Sequence, residues 1–140
     1  MSKVVRIAAV ADLHVKERDK GKWNDFFRLA EESADILLLC GDLTDHGTQA
    51  EAEVLKAEIT QCNIPILAVL GNHDFENGTP EVVKETLKDC IRILDGESCV
   101  IKGIGFAGVK GFAGGLTGQC YPCLASLHLK ILYRRRLTKP

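Results

Sequence analysis

Three nearly unbroken apolar runs constrain this chain more than any other feature: residues 4–10 (VVRIAAV), 36–40 (ILLLC) and 64–70 (IPILAVL). Each has the length of a strand and the near-continuous apolarity of one covered on both faces, as in a parallel sheet. Helical patterns separate them. Within 20–34, Trp23, Phe26, Phe27 and Ala30 recur at helical spacing and read as core packing. Residues 48–62 read as a helix with Ala50, Val54, Leu55, Ala57 and Ile59 on its apolar side. Thr48 with Glu51 three residues later makes a capping box, and Asn63 and Pro65 stop the helix. Thr79-Pro80-Glu81 opens a third helix, with proline at its first position, running to about Cys90. Residues 91–94 form a short strand, Asp95-Gly96 a turn, and 99–109 one or two strands joined at Gly103 and Gly105. The order β-α-β-α-β-α-β predicts right-handed crossovers and a parallel sheet between helices. In such sheets, ligands gather at the carboxyl ends of the strands.

Those ends carry the chemistry. Asp12-Leu13-His14 follows the first run, Gly41-Asp42-Leu43-Thr44-Asp45 with His46-Gly47 the second, and Gly71-Asn72-His73-Asp74 the third. On an extended strand end, Asp12 and His14 point the same way and can reach one ion. Asp42 has two oxygens and can bridge two metals, while the Asn72 amide is a neutral ligand that limits the negative charge. Two cations about 3.5–4 Å apart hold a phosphoryl group and a hydroxide for in-line attack. His73 suits proton donation to a leaving alkoxide, and Asp45 or Asp74 is placed to orient it. Singly, each piece is a common turn; Glu76-Asn77-Gly78 reads as a turn and nothing more. Their conjunction on three successive loops is what points to a metal site.

The motifs Asp12-x-His14, Gly41-Asp42-x-x-Asp45-His46-Gly47 and Gly71-Asn72-His73-Asp74 resemble the calcineurin-like metallophosphoesterase superfamily. Residues 108–115 (GVKGFAGG) also resemble a glycine-rich stretch of some bacterial members. The resemblance covers roughly residues 4–115. It implies an α/β fold, the N-terminal portion of a four-layer α/β/β/α sandwich with a mostly parallel sheet flanked by helices. By the resemblance, Asp12 and His14 bind a first metal, Asp42 bridges, and Asn72 binds the second. His73 is then the general acid, paired with Asp45. The ions are divalent, two in the family, and Mn, Fe or Zn suits such mixed O and N ligands. A further histidine and a Gly-His-x-His on the second sheet, usual in the family, find no match. His46 stands where the serine/threonine protein phosphatases have arginine, which disfavours that branch. The expected division is a truncated core, 1–115, and a divergent tail, 116–140, as a shortened or frame-shifted gene would produce.

Composition agrees with one ordinary globular domain: 140 residues, 46% hydrophobic and 26% charged. A net charge of -1 gives no footprint for nucleic acid or an anionic membrane, and only Arg134, Arg135, Arg136 and Lys139 form a basic tail. No apolar run is long enough to span a bilayer, and a cytoplasmic location is expected. Six cysteines read as free thiols in a reducing compartment. The lone Cys120-x-x-Cys123, with His128 nearby, is weak support for a zinc or redox site.

The expected activity is metal-dependent hydrolysis of a small phosphate mono- or diester by a metal-activated hydroxide. It is expected to be weak, with one ion bound loosely, because the later histidine ligands are missing. The alternative is a non-catalytic binding or scaffold protein. Its half-sandwich face would then be covered by self-association or by the tail.

Overall fold

The computed structural model describes residues 4–109 and the backbone of the strand Leu129–Leu132. Cys120, Cys123, His128, the basic tail and most of the glycine-rich stretch lie outside the described residues, as does the boundary at 115/116.

The elements run β1 (Ile7–Val10), α1 (Asn24–Ser33), β2 (Ile36–Cys40), α2 (Gln49–Ile59), β3 (Ile66–Val69), α3 (Pro80–Leu87), β4 (Arg92–Ile93), β5 (Glu97–Ile101), β6 (Ile104–Gly108) and β7 (Leu129–Leu132). Strands β1 to β4 form one sheet in sequential order, and β5 to β7 form a second. All pairs in the first sheet are parallel, with Ile7 opposite Ile36 and Leu37 opposite Ile66. Those in the second are antiparallel, with Cys99 opposite Phe106.

Alternate residues of β2 and β3 separate two cores. Leu37, Leu39, Ile66 and Ala68 pack with Phe27 and Ala30 of α1, Leu55 and Ile59 of α2, and Val83 and Leu87 of α3. Ile36, Leu38, Cys40 and Leu67 pack instead with Cys99, Ile104 and Phe106 of the second sheet. All three helices therefore cover one face of the parallel sheet, and the antiparallel sheet covers the other. The alternation alone predicts helices on both faces. A strand order that steps one way, with crossovers of one hand, puts every helix on the same side. The result is the mixed α/β sandwich with a four-strand parallel sheet flanked by helices.

Local details follow from the residues. Helix α1 starts at Asn24 rather than Lys20, because Glu17–Asp19 form a separate 3-10 turn. At α2, Thr48 Oγ1 accepts from the Glu51 N–H at 3.3 Å, and Glu51 Oε2 accepts from the Thr48 N–H at 3.2 Å. The apolar side of this helix departs from the expected one: Ala57 is exposed, whereas Glu51 and Glu58 are buried beside Ala52, Leu55 and Ile59. Helix α3 stops at Leu87, whose carbonyl accepts from both Cys90 and Ile91 N–H. The β5–β6 hairpin turns at Lys102 and Gly103, both at positive φ, which is the two-residue turn that suits strand twist. Gly105 lies inside β6 opposite Val100. Among the described residues, no helix is long and apolar enough to cross a membrane.

Candidate metal centre

The loops leaving β1, β2 and β3 meet at one edge of the parallel sheet. The first two run side by side beyond their strands. Asp12 N–H donates to the Gly41 carbonyl at 3.1 Å, His14 N–H to Asp42 at 3.0 Å and Val15 N–H to Leu43 at 3.1 Å, while Asp45 N–H returns to Val15 at 3.1 Å. The third loop presses against the second at Gly71. A Cβ there would lie 2.1 Å from Asp42 Oδ1 and 2.4 Å from the Asp42 backbone nitrogen, so only glycine permits the approach.

The backbone is strained where the chemistry was expected. Asp12, His14 and Asp42 have φ of +58°, +45° and +50°. Residues with a Cβ rarely adopt this region, and each costs on the order of 1–3 kcal/mol when held there. Asp12 and His14 are therefore not two residues of an extended strand end. Left-handed turns, not strand alternation, aim their side chains.

His14, Asp42 and His73, one from each loop, bring ligand atoms within 4.8 Å of one another. The His14 and His73 rings stand edge to face with centroids 4.4 Å apart. His14 Nε2 lies 3.9 Å from Asp42 Oδ2, and Asp42 Oδ1 accepts from the His73 N–H at 3.0 Å. Asp12 is exposed and is not one of this trio. Asn72 precedes His73 and is half-buried.

Asp45 meets His73 through its main chain: His73 Nδ1 donates to the Asp45 carbonyl at 2.7 Å. The Asp45 carboxylate instead faces Lys16 Nζ at 3.1 Å, His46 Nε2 at 3.1 Å and His14 Nδ1 at 3.5 Å. The Lys16 hydrogen bond holds the Asp45 pKa below its ordinary value, against some burial and helped by the charges of Lys16, His46 and His14. Burial opposes a charge on His73, but the Asp45 carbonyl and the carboxylates of Glu76, Asp42 and Asp45 outweigh it and raise its pKa.

Asp74 is fully buried and braces the loops rather than His73. Its oxygens accept from the Leu43 N–H at 3.1 Å, the Thr44 N–H at 2.8 Å, the Thr44 hydroxyl at 2.7 Å and the Gly71 N–H at 2.9 Å. Glu51 adds a tie to the second loop by accepting from the His46 N–H at 3.0 Å. Both residues stand in linear motifs, Asp74 in Gly71-Asn72-His73-Asp74 and Glu51 in the capping box, but their partners on the second loop are not visible there.

The donor set fits a divalent cation. Two imidazoles and a carboxylate give the mixed N and O ligation that Mn, Fe and Zn accept. Ligand atoms on one such ion at about 2.0–2.2 Å lie at most about 4.4 Å apart; His14 Nε2 and Asp42 Oδ2, 3.9 Å apart, are within that span, and the His73 ring stands beside them.

Comparison with known proteins gives the family of the chain. A family model described as calcineurin-like phosphoesterase matches residues 5–126, and the chain belongs to that family. Members of the family use divalent metals. Similar proteins include one of Synechococcus named "probable cyclic nucleotide phosphodiesterase", 41% identical over 57 residues, covering 41% of this chain and 22% of that one. An uncharacterized protein of Methanocaldococcus jannaschii is 32% identical over 111 residues, covering 79% and 45%. A protein of Arcobacter nitrofigilis named "probable glycerophosphodiester phosphodiesterase" is 26% identical over 80 residues, covering 49% and 29%. The chain thus spans less than half the length of these curated relatives.

Proposed function

We propose that this chain carries the metal centre of a divalent-metal-dependent phosphoesterase acting on a small phosphate ester, with diesters favoured. The observation that carries the reading is the meeting of His14, Asp42 and His73 within 4.8 Å, from three separate loops at one sheet edge. The names of two relatives as phosphodiesterases support the diester preference. In this reading His14 and Asp42 hold a cation, with Asp12 on the first loop and Asn72 on the third as further ligands. When bound, the cation neutralises phosphate charge and activates water.

His73 serves as the proton donor. Its Nδ1 is committed to the Asp45 carbonyl, which leaves Nε2 as the atom that holds a proton for the leaving oxygen. Against burial, the Asp45 carbonyl and the nearby carboxylates raise its pKa, which favours the protonated ring. Asp45 positions the ring rather than exchanging protons with it. Free thiols at Cys40, Cys62, Cys90 and Cys99 support a reducing, cytoplasmic setting.

The test uses the purified chain with Mn²⁺ and bis-p-nitrophenyl phosphate. Hydrolysis that disappears in Asp42→Asn, with at least one metal per chain by elemental count, is the expected result. Equal rates in the two proteins overturn the reading.

A further inference from the structure

We propose that Glu76 is a positioning residue for this centre. With His46 it forms an ionic bridge from the β3–α3 loop to the β2–α2 loop and so sets the His73 ring. The proposal rests on the site being a divalent-cation centre.

Both Glu76 oxygens are engaged. Oε2 lies 2.8 Å from His46 Nδ1, and Oε1 lies 3.3 Å from His73 Nδ1. The other nitrogen of His46, Nε2, lies 3.1 Å from Asp45 Oδ2. The His46 ring thus lies between two carboxylates, hydrogen-bonded to Glu76, and their negative charge favours its protonated form. Asp45 in turn takes Lys16 Nζ at 3.1 Å. A chain of charges, Lys16–Asp45–His46–Glu76–His73, therefore joins the three loops that supply the site.

The bridge does little for stability as such. The side chains of His46 and Glu76 are 64% and 42% exposed, and surface ion pairs contribute about 0–1 kcal/mol. Its effect is on direction. His73 Nδ1 donates to the Asp45 carbonyl at 2.7 Å and has the Glu76 carboxylate 3.3 Å away, so the negative charge of Glu76 favours the ring orientation that keeps Nδ1 on this side and leaves Nε2 free. Outer partners that orient an imidazole at a metal centre are worth about 10–100-fold in affinity or activity, and for a proton donor the effect falls on activity.

The decisive variant is Glu76→Gln in the 140-residue chain, which keeps the length and removes the charge. Mn²⁺-dependent hydrolysis of bis-p-nitrophenyl phosphate is expected to fall about 10-fold while the melting temperature stays at the wild-type value. His46→Gln should lower the rate similarly, and the double variant no further than either single one. A Glu76→Gln rate within about twofold of wild type, or effects that multiply in the double variant, overturns the proposal. Should the wild-type chain bind no Mn²⁺ or leave the ester intact, the cation-centre reading itself fails. In that case ¹⁵N shifts of the His73 ring in metal-free protein decide the bridge separately: they move in Glu76→Gln if it orients the ring and stay fixed if it does not.

Discussion

Gly71 shows how closely the site is built at the scale of single residues. A methyl group there would overlap both Asp42 Oδ1 and the Asp42 backbone nitrogen, and the backbone partner cannot rotate away. Gly71→Ala should therefore cost about 1–3 kcal/mol in a urea melt and abolish Mn²⁺ binding, since it pushes Asp42 off the trio. Titration reports on His46. The Glu76 hydrogen bond raises its pKa above 6.5, against some burial and with help from Asp45, Glu51 and Glu76 charges. Its folded-state pKa exceeds the unfolded one, so its contribution to stability is complete below the unfolded pKa and fades as pH rises through the folded value. In metal-free protein, the His46 midpoint by NMR should lie above 6.5 and fall in Glu76→Gln. Much of this cluster is legible in the sequence, because glycine, aspartate and histidine recur directly after three successive apolar runs, a conjunction that single turns do not produce. The left-handed backbone at Asp12 and His14 is not: those residue types are ordinary at a strand end, and only contact with the neighbouring loop forces the turn.

Helices α1 and α2 depend on a glutamate that looks misplaced. Glu58 is 3% exposed, yet its carboxylate accepts from the Gly21 and Trp23 N–H groups that lead into α1. Glu58→Ala would remove the charged partner of two part-buried donors and should destabilise the chain by about 1–3 kcal/mol. Glu58→Gln, which keeps one acceptor oxygen, should cost less; chemical denaturation checks both. Helical periodicity misses this residue because it sorts glutamate to the solvent side. The real inner face of α2 pairs Ala52, Leu55 and Ile59 with Glu51 and Glu58, two acids whose buried oxygens are spent on backbone donors of neighbouring segments. The capping box at Thr48, by contrast, is local, and local patterns carry over into structure more directly.

Across the whole molecule, the two sheets share a core that neither could fill alone. Phe106, 1% exposed, packs from β6 among Ile36, Leu38 and Leu67 of the parallel sheet. Phe106→Ala should cost about 3–5 kcal/mol, and the loss should appear as one cooperative transition rather than two. The sequence announces that β2 is buried on both sides, since all five of its residues are apolar. It cannot say which cover is helix and which is sheet, because aliphatic side chains pack equally well against either. The three left-handed residues at the cation site bear on the molecule's fate under selection. Glycine at Asp12, His14 or Asp42 would relieve a standing energetic debt and remove a side chain that the proposed centre uses. A mutant library screened only for heat tolerance would drift toward glycine at these positions, and such a lineage would shed its chemistry well before its architecture.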